Sequence, residues 1–297
     1  EDLADPLIHL IRNAVDHGVE MPAERQAAGK PVKSLVRLEA RQEGDLFALI
    51  RLPAAGRRLV RHLEVIAAIR HFAELDAAWE RITRRDGHTR VVLSGHSTGG
   101  LVVALWADAR KPPELAGLLL NSPWLDLQGR AWLRSPAAAL VIDRVGRRQP
   151  LREFPREVKG FYARSLHRDH DGEWDFDLTW KPVESFPVRF GWLRAVRLGH
   201  ARLQAGLDVP APVLVLSSDR SSAPTEMGED VFNTDIVLDV RQIRQWATAV
   251  GRHVTYAAVP GAVHDVVLSR SEPRARAYAE IERWLGAYVA RGGSDGR

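Results

Sequence analysis

"RVVLSGHSTGG", residues Arg90 to Gly100, decides how this chain is read. Val91 to Leu93 form a short apolar run that reads as a strand. Gly95-His96-Ser97-Thr98-Gly99 follows as a tight turn, and "GLVVALWADA" from Gly100 onward reads as a helix rich in small residues. Strand, turn and helix in that order are the setting in which G-x-S-x-G makes a nucleophile elbow. There Ser97 must adopt a strained backbone conformation that lifts its hydroxyl clear of the sheet. The residues two before and two after must then be tiny, which explains Gly95 and Gly99. The helix behind Ser97 points its N-terminus at the site and favours developing negative charge. The backbone N–H of Thr98 is the candidate oxyanion donor.

An elbow serine needs an imidazole and an acid, which follow it in chain order in this architecture. "VLVLSSD", Val213 to Asp219, reads as a buried parallel strand. "VTYAAVPGAVHDVVLS", Val254 to Ser269, reads as a second strand running into a loop that carries His264. Both deliver polar residues to the carboxyl edge of the sheet, where ligands bind in open α/β folds. Two carboxylates compete to orient the imidazole. Asp219 ends its strand. Asp235, in "TDIVLDV", is expected to open the next helix and precedes His264 by 29 residues.

Working back from the elbow, "LFALIRLPAAGRR" (46–58) reads as a strand and loop, and "LEVIAAIRHFAELDAAWERI" (63–82) as an amphipathic helix. From Leu46 to Arg291 the chain resembles the serine aminopeptidase and monoglyceride-lipase-like branch of the α/β-hydrolases. "NSPWLDL", "GEWDFDLTWKP" and "GWLRAV" look like that family's lid, here about 122–206. The resemblance implies a Ser–His–Asp acyl-transfer site of Ser97, Asp235 and His264, with no metal and no cofactor. The family's pattern of an Asp, apolar residues and a second Asp fits Asp235 to Asp239, which favours Asp235 over Asp219. Five tryptophans, Trp124, Trp132, Trp174, Trp180 and Trp192, fall between 121 and 205. Such a lid suits apolar acyl or aromatic substrates, although each ring serves equally well as packing for the lid's own core.

The front of the chain is of another kind. In "DPLIHLIRNAVDHGVE" (5–20), Asp5 caps, Pro6 suits the first helical position and Gly18 the position after the last turn. "LVRLEARQEGDLFALIRL" (35–52) alternates on either side of Glu43-Gly44-Asp45 as a β-hairpin does. "HLIRNAVDHGVE…ER…AAGKP" resembles the N box of the ATP-binding domain of chemotaxis histidine kinases, in which the residue matching Asn13 helps hold Mg–ATP. That family's later glycine-rich boxes do not follow, so residues 1–45 read as scaffold rather than as a nucleotide site.

The expected architecture is therefore α/β: a truncated α/β-hydrolase fold (46–297) with a helical lid, its first strands replaced by the N-terminal helix and hairpin (1–45). The two fragments join near Gly44-Asp45. A complete hydrolase of this type has a His-Gly loop ahead of the elbow that donates the second oxyanion N–H, and none is present. The loop "PAAGRR" offers replacement donors at Ala55, Gly56 and Arg57, with the side chains of Arg57 or Arg58 also near. A sheet deprived of its leading strands leaves unpaired edges, so a homodimer mended through the N-terminal segment is expected.

Composition bounds the rest. The 297 residues contain no cysteine, which excludes thiolate catalysis, disulfides and zinc–thiolate sites. No apolar run is long enough to span a bilayer, and no secretory signal is legible at the start; a cytoplasmic setting fits. Net charge is +4 and the pI 9.7. Only five of the 42 basic residues are lysine, and the arginines are spread among acids instead of clustering as a nucleic-acid footprint requires. The function expected is a serine hydrolase of small-molecule carboxylic esters, with activated phosphoryl esters also in range. The alternative is a weak or inactive scaffold lacking half of its oxyanion hole.

Overall fold

The computed structural model describes residues 72–289, apart from 130, 157 and 180. The expected N-terminal helix and hairpin, Asn13, the 54–58 loop and Trp180 lie outside the described residues.

Four parallel strands form one sheet in sequential order: β1 (Val91–His96), β2 (Leu115–Asn121), β3 (Val213–Ser218) and β4 (Val254–Val259). Parallel strands require crossovers, and a parallel sheet must be covered on both faces. The helices provide both. Helix α1 occupies 72–80 and α2 spans Thr98–Arg110, crossing from β1 to β2. The segment expected to form a lid lies between β2 and β3 and contains α3 (Pro136–Arg148), α4 (Phe161–Leu166) and α5 (Phe190–Gln204). Between β3 and β4 come α6 (Glu229–Asn233) and α7 (Val240–Trp246), and α8 (Ser271–Trp284) follows β4.

The period of two along a strand divides the core. Leu118, Leu120, Val213 and Val215 face one side, where they meet Leu101, Ala104 and Trp106 of α2 and Leu193, Val196 and Leu203 of α5. Leu119, Leu214 and Leu216 face the other and pack on Ala277 and Trp284 of α8. Each such leucine is fully or almost fully buried, so truncating one to alanine costs about 2–5 kcal/mol.

Local signals explain the helix starts. Ser135 caps α3 by accepting a hydrogen bond from the Ala138 N–H (3.2 Å), and Pro136 takes the first helical position. One expectation is corrected here: Asp235 does not open a helix. The cap of α7 is Asp239, whose carboxylate accepts from the Arg241 N–H. Asp235 sits in the preceding loop, where its Oδ1 accepts from the N–H groups of Val237 and Leu238, both at 2.8 Å. Either aspartate has the chemistry of a cap, and local sequence does not tell them apart.

The tryptophans between β2 and β3 divide between packing and surface. Trp124 and Trp192 stack on each other at 5.5 Å, and Trp174 donates its indole N–H to the Leu268 carbonyl (2.8 Å). Trp132 is 59% exposed. At Trp124, Trp192 and Trp174 the packing role accounts for the ring.

Candidate active site

Ser97 stands between β1 and α2 with φ 54° and ψ −120°, a conformation that L-residues rarely adopt. Close approach makes it possible. A Cβ on Gly95 would lie 2.6 Å from Val103 Cγ2 and 2.7 Å from the Gly99 carbonyl oxygen. One on Gly100 would lie 2.8 Å from Pro123 Cβ, so the second glycine of the Gly99-Gly100 pair has its own packing reason. The strained residue is held on three sides. Its N–H donates to the Asn121 carbonyl (3.0 Å), and its carbonyl accepts from Gly100 (3.1 Å) and from Trp124 (2.9 Å).

Ser97, His264 and Asp235 come together in one hydrogen-bonded chain. The Ser97 hydroxyl donates to His264 Nε2 at 3.0 Å, and His264 Nδ1–H donates to Asp235 Oδ2 at 3.0 Å. Both the imidazole (2% exposed) and the carboxylate (0%) are buried. Asp235 is fully engaged, with Oδ1 on two backbone N–H groups and Oδ2 on the imidazole. An imidazole so held keeps one tautomer and is placed to take the serine's proton. Thr98 is the first residue of α2, so its N–H has no intrahelical partner and lies beside Ser97.

Asp219 is elsewhere. Its Oδ1 accepts from the Gly261 N–H at 3.1 Å, tying down the turn through which β4 runs toward His264.

Several residues around the site had not been singled out in the sequence. Asn121, at the end of β2, accepts from the Val266 N–H through Oδ1 (3.0 Å) and donates through Nδ2 to Asp265 (2.6 Å). It therefore holds both Ser97 and the His264 loop. A lone amide closing the apolar run "LAGLLLN" was the available signal, since a buried polar group at a strand's carboxyl end requires partners. The His96 ring lies 4.8 Å from that of His264, and Tyr162 of α4 meets the same imidazole edge to face at 5.4 Å. Among the described residues, no group of three His, Asp or Glu side chains is arranged to hold a metal ion.

A family model described as serine aminopeptidase, S33, matches residues 56–224, more than half of the chain. The chain belongs to this hydrolase family. Solved structures of similar fold include a monoacylglycerol lipase from Paleococcus ferrophilus, with TM-score 0.53 and 18% identity over 74% of this chain and 76% of that one. A soluble variant of monoglyceride lipase from Saccharomyces cerevisiae follows at TM-score 0.51 and 15% identity, over 73% and 69%. At these identities the likeness is one of fold: this S33 hydrolase has an α/β-hydrolase sheet with flanking helices.

A second set of relatives is of a different kind. The chain is 38% identical over 103 residues to chemotaxis protein CheA of Cereibacter sphaeroides, which is 34% of this chain and 14% of that protein. It is 50% identical over 46 residues to the gliding motility regulatory protein of Myxococcus xanthus, 16% of this chain and 6% of that protein. The chain spans only these small fractions of such relatives. It joins a CheA-like segment to an S33 hydrolase.

Proposed function

We propose that this S33 hydrolase cleaves carboxylic esters through an acyl-enzyme on Ser97. The observation that carries this reading is the buried hydrogen-bonded chain from a strained elbow serine through His264 to Asp235. His264 Nε2 takes the hydroxyl proton as Ser97 Oγ bonds to the ester carbonyl carbon. The carbonyl oxygen becomes an oxyanion facing the Thr98 N–H and the positive end of α2. Collapse of that intermediate breaks the bond to the alcohol oxygen, which leaves with the proton from His264. Water then attacks the acyl-enzyme by the same route, releasing the acid and returning the proton to Ser97. Asp235 keeps the proton on Nδ1 and stabilises the imidazolium formed in each half.

The test is labelling with an activated fluorophosphonate together with turnover of p-nitrophenyl esters. Wild-type protein is labelled at Ser97 and releases p-nitrophenol. Ser97→Ala is not labelled, and its kcat falls by a factor on the order of 10³ or more. Wild-type turnover in Ser97→Ala would remove the serine from this role.

A further inference from the structure

We propose that Lys181 forms an anion-binding subsite next to His264, so that favoured substrates are esters carrying a second, negatively charged group such as a carboxylate. The inference rests on the ester-hydrolase reading and specifies its substrate class.

Tyr162 links the cation to the site. One side of its ring meets the His264 imidazole at 5.4 Å between centroids, and the Lys181 ammonium lies 4.8 Å from the same ring centroid. Taken end to end, those two distances place the ammonium within about 10 Å of the imidazole. A second ring, Phe176, stands 5.6 Å from the ammonium. The loop carrying both residues is anchored: the Phe176 carbonyl accepts from His167 Nε2 at 2.9 Å, and the Lys181 N–H donates to the Asp177 carbonyl at 3.1 Å.

The cation is uncompensated. Among the described residues no carboxylate is paired with Lys181, and three acids that precede it in the chain are engaged elsewhere. Glu173 faces Arg274, Asp175 pairs with Arg168, and Asp177 accepts from the Thr179 N–H. Two aromatic faces hold the ammonium of a half-buried lysine in place, which lowers the ordering cost of gripping an anion. An ester bound at Ser97 with a carboxylate on its far end supplies the missing counter-charge.

The experiment measures kcat/KM for anionic and neutral ester pairs with wild type, Lys181→Met and Lys181→Glu. Lys181→Met keeps an apolar stem on the rings and deletes the charge. One arm places the anion on the acyl half, with p-nitrophenyl hemisuccinate, hemiglutarate and hemiadipate against uncharged acyl chains of matched length. The other places it on the alcohol half, with 4-acetoxybenzoate against its methyl ester. In at least one arm the anionic-to-neutral ratio falls about 5-fold in Lys181→Met, further in Lys181→Glu, and declines with added salt in wild type. The wild-type salt response stands as a separate test should either variant fold poorly. A ratio unchanged by substitution and by salt in both arms, with Ser97-dependent turnover intact, overturns the subsite and leaves the hydrolase reading standing. No turnover of any ester by wild type overturns both.

Discussion

Strands β2 and β3 are enclosed almost along their whole length, whereas β1, which leads into Ser97, leaves alternate residues open to solvent. Val92 of β1 is 37% exposed, while Val213 to Leu216 of β3 are all at 0%. Among the described residues β1 pairs only with β2. The difference shows where the site gets its rigidity. Ser97 is held by backbone contacts to Asn121, Gly100 and Trp124, and the two groups in line with its hydroxyl, His264 and Asp235, are themselves buried. Among the described residues, the contacts that fix the elbow therefore lie on the β2 side of β1.

The sharpest way to break that dependence is Asp235→Asn. An amide in place of the carboxylate stabilises the wrong imidazole tautomer, so Nε2 no longer accepts the Ser97 proton. The expected loss in kcat is about 10⁴-fold, read by ester turnover with the fold checked by circular dichroism. A loss under tenfold would show that the buried acid does not set the tautomer.

A second test concerns the stability of the buried half. His200 of α5 is enclosed, with Nε2 on the Trp124 carbonyl at 2.9 Å, and burial pushes its pKa down to about 4. In the unfolded chain it takes a proton near pH 6.5. Below that pH the unfolded state binds more protons than the folded one. Stability is therefore unaffected by this group above pH 6.5 and falls as the pH drops from 6.5 to 4, by up to about 3 kcal/mol. Urea midpoints across this range should show the decline, and His200→Gln should flatten it. An equal slope in the variant would assign the decline to other groups.

Much of this half was legible in the sequence, for a physical reason. The elbow is a local structure, specified by a strand, two glycines and a helix that are contiguous in the chain. His264 was legible because a strand followed by Pro260-Gly261 leaves a loop at the sheet's carboxyl edge. What escaped were groups brought together only by folding. The chain positions of Asn121 and Tyr162 give no hint that one bonds the loop after His264 and the other meets its ring. Between Asp219 and Asp235 the residues alone left the choice open, since both reach the same edge; the family resemblance favoured Asp235, whose carboxylate is the one bonded to His264.

The β1 edge itself carries a proposal that the sequence raised: two copies associate through the N-terminal segment and cover the surface left open on β1. Light scattering at micromolar concentration should then give about twice 33.1 kDa. A single species at the monomer mass would show that the edge is tolerated without a second copy.

The smallest effect expected is at Asp219, and it is a control on the acid's identity. Its carboxylate bonds the Gly261 N–H, in a turn where Gly261 has φ 73° and two residues separate it from His264. Asparagine keeps an acceptor oxygen at that position, so Asp219→Asn loses the charge on one hydrogen bond but not the bond. A charge-assisted bond is about twice as strong as a neutral one, which puts the cost at about 1 kcal/mol of stability. The imidazole tautomer is untouched because Nδ1 is already committed to Asp235. The change in kcat should stay under about tenfold, against about 10⁴-fold for Asp235→Asn. If Asp219→Asn proved the more damaging of the two in kcat, with both proteins folded, the hydrogen bond seen between His264 and Asp235 would not be the one that sustains turnover.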